Sequence, residues 1–152
     1  MQPTPPGWPR IASALFYREP REMIDWLCQA FGFAVRVKVE GEGGRIEHSE
    51  LVFGDAVVMV SCERPTVDAR FGNALLSPLS AGGTTQSLFI YVDDLAGHCQ
   101  RARANGARIV QEPRLQDYGE EYWADRNYSA LDPEGHVWWF AQRMRNPKGE
   151  YA

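Results

Sequence analysis

The chain says nearly the same thing twice, and that repetition constrains its fold more than any other feature. Leu15-Phe16-Tyr17-Arg18-Glu19-Pro20 leads into a helical pattern that stops at Gly32, and Phe89-Ile90-Tyr91-Val92-Asp93-Asp94 leads into another that stops at Gly106. In the first helix Met23, Leu27 and Ala30 or Phe31 recur at helical spacing, with Pro20 suited to the first turn and Gly32 to a left-handed stop. In the second, Leu95, Cys99 and Ala102 do the same, Asp94 is placed as N-cap and Gly106 ends the run. Each helix is followed by three strand-like runs: Phe33 to Glu40, Ile46 to Phe53 and Ala56 to Ser61, then Ala107 to Gln111, Tyr122 to Leu131 and His136 to Gln142. Ser49-Glu50-Leu51 finds its counterpart in Ser129-Ala130-Leu131, and each is followed by a turn, Gly54-Asp55 in one case and Asp132-Pro133-Glu134-Gly135 in the other.

A ferredoxin-like repeat has one helix per two strands. Three strands after each helix favour an α+β fold of two tandem βαβββ modules, with curved mixed sheets around a cup-shaped cavity. Module one spans about residues 10–62, a crossover rich in Pro, Gly and Ser covers 63–86, and module two spans about 87–143. All 152 residues are read as a single domain, a length that buries roughly 70% of its unfolded surface without a covalent staple.

Charge narrows the partners. A net charge of -4 and no Lys/Arg stripe interleaved with aromatics disfavour nucleic acid and leave a small molecule as the expected partner. Cys28, Cys62 and Cys99 are too widely spaced for a zinc or redox pair, and are read as reduced thiols in a cytoplasmic protein. The proline-rich start lacks a signal-like apolar stretch, and no run is long enough to span a bilayer, so membrane partners are not expected.

The sequence resembles the vicinal oxygen chelate superfamily, which includes glyoxalase I, bleomycin-resistance and fosfomycin-resistance proteins and extradiol dioxygenases. The residues that carry this are Phe16-Tyr17-Arg18-Glu19 and Tyr91-Val92-Asp93-Asp94, the helix ends Ala30-Phe31-Gly32 and Ala104-Asn105-Gly106, and Asp132-Pro133-Glu134-Gly135-His136. In metal-dependent members four ligands, usually His, Gln or Glu, line the cup. The resemblance puts those places at Ala12, Met59, Ser87 and Trp139, none of which is a competent donor for a divalent ion. One step away in register only Gln86 is a familiar ligand. Neither a metal nor any other cofactor is therefore expected.

Strand alternation extends the cup. If Met59 and Trp139 look inward, so do Ala12, Phe16, Ser87, Val57 and Val137. The same reasoning carried across the repeat sends His48 and Glu50 inward on one strand and Arg126 and Tyr128 inward on its counterpart. Trp138 and Phe140 then belong to the core. His48 and Glu50 share a strand face and can form an imidazole–carboxylate pair, which serves as a general base or simply satisfies a strand neighbour. His98 is read as solvated, His136 as satisfying backbone near its turn, and Trp8 as anchoring the N-terminal arm. Tyr122, Arg126 and Tyr128 lie in a stretch dense in aromatics and charge, where Arg126 either clamps an anionic group or bridges Asp125 or Glu50.

The leading expectation is a metal-independent small-molecule-binding protein of bleomycin-resistance type, with Phe16, Met59, Ser87, Tyr122, Arg126, Tyr128 and Trp139 as ligand contacts. The alternatives are a lyase- or isomerase-type enzyme that uses His48 and Glu50 for proton transfer, or a dimeric scaffold or regulator. A homodimer is expected, with the two modules pairing within one chain.

Overall fold

The computed structural model describes residues 1–149. It contains two compact units, Met1–Gly83 and Thr84 onward, each built around one βαβββ module. Module one runs β1 (Ser13–Tyr17), α1 (Pro20–Phe31), β2 (Ala34–Glu40), β3 (Ile46–Phe53) and β4 (Ala56–Cys62). Module two, which begins beyond β5, β6 and α2 of the crossover, runs β7 (Ser87–Tyr91), α3 (Leu95–Ala104), β8 (Arg108–Asp117), β9 (Ala124–Leu131) and β10 (Val137–Arg145). Their sheets have orders β1-β4-β3-β2 and β7-β10-β9-β8. In each, the first strand pairs parallel with the last and the other pairs are antiparallel.

The helix ends follow the expected chemistry. Gly32 closes α1 at φ 84°, and the Asp94 side chain accepts from the backbone N–H of Gly97 to cap α3. One side of each sheet is sealed by its helix. Leu15, Tyr17, Leu51, Val58 and Val60 meet Met23, Ile24, Leu27 and Phe31 in module one, where every one of them is buried. In module two Trp138, Phe140, Tyr128 and Ala130 form the equivalent layer with Leu95, Cys99 and Ala102. Each large apolar side chain so placed stabilises the fold by roughly 1.5–3 kcal/mol. The other side of each sheet, called here its open face, carries the candidate functional residues.

Two expectations about the elements change. The crossover is not plain linker: Arg64–Asp68 (β5) and Asn73–Leu75 (β6) pair as a hairpin, and Pro78–Ala81 forms a short helix, α2. Asp68 organises that hairpin by accepting from Arg64 and Arg70. The strand expected to end at Gln111 continues to Asp117, through Pro113. β8 lies at the edge of its sheet, and the register shifts between Gln111 and Arg114, so the missing N–H of the proline leaves no central ladder bond unmade. No helix is long and apolar enough to cross a membrane among the described residues.

Candidate functional site

In module one, cross-strand register fixes which side chains share the open face. Phe16 lies beside Ser61, Ala14 beside Met59, and Glu50 opposite Met59, so Phe16, Met59, His48 and Glu50 are together on the side away from α1, as alternation requires. Phe16 makes an edge-to-face contact with Phe71, ring centroids 6.5 Å apart. Ile46 has the same parity as His48 yet is buried, because a bulge at Glu47 reverses the alternation below it.

The expected His48–Glu50 pair exists, with His48 Nε2 3.0 Å from Glu50 Oε1. A third member was not legible. Arg36 Nε donates to Glu50 Oε2 at 2.8 Å, its guanidinium lies 4.8 Å from the centroid of the Trp8 ring, and its Nη1 donates to the Gly7 carbonyl. Simple alternation in Ala34–Glu40 groups Arg36 with Lys38 and Glu40. A register shift between Val35 and Val37 removes it from that set, and nothing in the sequence marks the shift. The His48 hydrogen bond, with Arg36 adding to it, holds the Glu50 carboxyl below the usual carboxylate range against the opposing effect of desolvation. Glu50 is thus a fixed anion that orients an imidazole whose side chain is 42% exposed. The N-terminal arm, Thr4–Pro9, borders a cavity of about 480 Å³ with Arg36, Val52, Gly54, Asp55 and Val57.

Module two places Ser87 and Trp139 on its open face as expected, with Phe89, Tyr91 and Val137, while Trp138 and Phe140 are fully buried on the helix side. Arg126 and Tyr128 are a correction. Tyr128 pairs with Phe140, stacks on it at 5.2 Å, is 0% exposed and lies 2.6 Å through its hydroxyl from His98 Nδ1. His98 is therefore held against the sheet, its ring 4.2 Å from Phe140, and not solvated. Burial pushes the Tyr128 hydroxyl well above its ordinary pKa.

The reason is the length of a loop. Phe53 pairs with Ala56 across Gly54-Asp55, whereas Leu131 pairs with Val137 across the five residues from Asp132 to His136. The odd difference exchanges the two sides of β9, so Asp125, Asn127 and Ser129 occupy the open face and Arg126 and Tyr128 do not. Asp132 stabilises this longer loop: its Oδ1 accepts from the backbone of Glu134, Gly135 and His136, and its Oδ2 from Trp138 Nε1.

Arg126 bridges neither Asp125 nor Glu50. Asp125 is bound by Arg143 Nε at 2.6 Å and by the Tyr91 hydroxyl at 3.0 Å, and the Arg143 guanidinium lies 5.8 Å from the Trp123 ring centroid. Desolvation raises the Tyr91 pKa, opposed by Arg143 and reinforced by Asp125. Tyr122 lies before β9 in a turn closed onto Gly119, edge-to-face with Trp123 at 6.4 Å.

Between these groups the open face of module two forms a cavity of about 410 Å³, lined by Ser87, Phe89, Gln111, Arg114, Gln116, Tyr118, Asn127 and Trp139. Of the seven expected ligand contacts, Ser87 and Trp139 line it. Arg114 and Gln116 lie beyond Gln111, where the sequence predicts the strand to end, and Gln111 is the last residue of that predicted strand. Gln111 Nε2 donates to Asn127 Oδ1 at 2.9 Å, which braces β8 against β9 at the cavity floor.

The four positions that correspond to family metal ligands hold a methyl, a thioether, a hydroxyl and an indole (Ala12, Met59, Ser87 and Trp139). That set does not fit a divalent ion, and no step is derived through one. Among the described residues no three His, Cys, Asp or Glu side chains cluster in a way that could hold a metal.

Two βαβββ modules with the same strand order, each with a sealed and an open face, define a tandem-repeat α+β protein. The chain belongs to the Glyoxalase/Bleomycin resistance protein/Dioxygenase superfamily, whose family model matches residues 10–140. TioX from Micromonospora sp. ML1 is similar at 31% identity and TM-score 0.65, over 88% of this chain and 98% of that one. TnmS3, an antibiotic binding protein from Streptomyces sp. CB03234, shares the fold at 17% identity and TM-score 0.62, over 88% and 93% of the two chains. An uncharacterized protein of Mycobacterium bovis is 29% identical over 137 residues, 90% of this chain and 85% of its own length.

Proposed function

We propose that the protein binds a small, planar aromatic molecule on the open face of module two, without a metal ion. The observation that carries this reading is the cavity itself. It has the volume of an ordinary ligand site, three aromatic side chains (Phe89, Tyr118 and Trp139) that offer stacking surfaces, and the polar groups of Ser87, Gln111, Gln116 and Asn127 to fix orientation. Phe89, 53% exposed, lies beside Trp139 across the strand pair and against Tyr91, so the exposed aromatic surface is contiguous rather than a lone side chain. The antibiotic binding described for TnmS3 supports the same class of function.

The test is a thermal-shift screen of aromatic metabolites and antibiotics against wild type and Trp139→Ala, with metal content measured in parallel. Compounds that stabilise the wild type and lose that effect in Trp139→Ala support the reading. Hits that stabilise both proteins equally, or one equivalent of zinc, nickel, iron or manganese per chain, refute it.

A second reading rests on the 3.0 Å His48–Glu50 pair: a proton-transferring enzyme of lyase or isomerase type, with His48 as base and Glu50 orienting it. It requires a compound whose turnover disappears in His48→Ala while binding persists. The scaffold reading requires no ligand at all. We also take the chain to act as a homodimer in the cytoplasm, the two modules working as one domain. Exposed Val35 and Val39 on edge strand β2 and Val110 and Leu115 on edge strand β8 support association. Light scattering that returned only the 17.2 kDa chain mass at micromolar concentration would exclude the dimer.

A further inference from the structure

The charges around the module-two cavity do not balance. Three acidic side chains of the same sheet are already engaged: Asp125 with Arg143, Asp117 with Arg145 at 2.6 Å, and Glu112 with Arg103 of α3 at 2.6 Å. Among the eight residues that line the cavity, Arg114 alone carries a charge. It stands opposite Asn127 on the open face, and among the described residues its guanidinium makes neither an ion pair nor a hydrogen bond. Every other open-face guanidinium described above has a carboxylate; this one presents its five N–H donors to the space where an aromatic ligand would stack.

Resting on the ligand site proposed above, we propose that the ligand is an aromatic acid: a planar ring system bearing a carboxylate or comparable anionic group, which Arg114 pairs while Trp139, Phe89 and Tyr118 hold the ring. The planar guanidinium suits a two-oxygen acceptor, and a cavity wall free of carboxylates imposes no repulsion on an anion. A cationic aromatic would meet the opposite field. Arg126, the sequence's candidate for an anion clamp, lies on the other side of the sheet and serves as an internal control.

The experiment is calorimetric titration of the full chain with 2-naphthoate and with the isosteric neutral 2-naphthamide, in wild type, Arg114→Gln, Arg126→Gln and Trp139→Ala. The expected result is naphthoate binding tighter than naphthamide by roughly fivefold, the size of one ion pair at a partly exposed site. That preference vanishes in Arg114→Gln, survives in Arg126→Gln and weakens with rising salt, while Trp139→Ala loses affinity for both probes. Equal affinity for the two probes in wild type, or a preference that persists in Arg114→Gln, overturns the anion assignment and leaves the aromatic site standing. Binding of neither probe at millimolar concentration, or binding indifferent to Trp139→Ala, removes the site and the assignment with it. Unchanged melting of Arg114→Gln excludes unfolding as the cause of any loss.

Discussion

The open faces of the two modules start from one plan and end as different surfaces. Each holds a carboxylate bound by an arginine that also lies against a tryptophan: Glu50, Arg36 and Trp8 in module one, Asp125, Arg143 and Trp123 in module two. In module one the tryptophan comes from the N-terminal arm, which runs along the sheet, and a histidine completes the set. In module two the tryptophan is local, a tyrosine takes the place of the histidine, and the neighbouring surface stays open as an aromatic cavity. A repeated scaffold can thus keep an ionic brace in both copies while the aromatic surface beside it differs between them.

The largest expected effect tests which side of the module-two sheet is core. Trp138→Ala should destabilise the protein by about 3–5 kcal/mol in chemical denaturation, because it empties a fully buried site and takes the indole N–H from Asp132 Oδ2. Trp139→Ala should cost far less and be read in ligand affinity instead. The reverse order would mean that the strand register is off by one residue.

Tyr128→Phe should come next, at roughly 1–2 kcal/mol, since it removes the hydrogen bond between the Tyr128 hydroxyl and His98 Nδ1. Ligand affinity should not change. A variant that bound ligand more weakly at unaltered stability would return Tyr128 to the open face.

Trp8→Ala should cost only about 0.5–1 kcal/mol, the worth of a cation–π contact at a partly exposed site. It should also raise the susceptibility of the arm to proteolysis, with no effect on binding in module two. If ligand affinity fell, the contrast drawn between the modules would fail.

The smallest effect is a pH dependence. The hydrogen bond from Arg145, helped by the Gly119 N–H, lowers Asp117 from the ordinary 3.8 to about 2. A carboxylate depressed on folding stabilises the native state above its unfolded pKa and loses that contribution as pH falls through the folded value. Wild type should therefore lose slightly more stability than Asp117→Asn between about pH 4 and pH 2, and urea midpoints across that window check it. Parallel curves would show that the pair contributes nothing.

How much of this was legible follows from what each feature depends on. The duplicated helix starts and stops, and the parity of β1, β3, β4 and β10, depend on local spacing and emerged from the sequence. So did Phe16, Met59, His48, Glu50, Ser87 and Trp139 on the open faces. Arg36 is hidden because a bulge moves it off its alternation, and Arg114 and Gln116 because they lie beyond Gln111, where the expected strand ends. Arg126 and Tyr128 fall on the side opposite to that implied by the similarity of β3 and β9, because the loops that follow these strands differ in length by an odd number of residues. Pairing decides these positions, and pairing is set by residues distant from them.

The loop held by Asp132 has a consequence for how such repeats can diversify. Lengthening or shortening it by two residues leaves every β9 side chain on its side of the sheet. A change of one would bring Tyr128 and Arg126 to the open face and turn Asn127 and Asp125 toward the helix, exchanging at once everything β9 contributes to that face. Inherited insertions at this hairpin should therefore come in even steps, and a designer seeking new specificity has finer control by substituting within the lining than by altering the length of the loop.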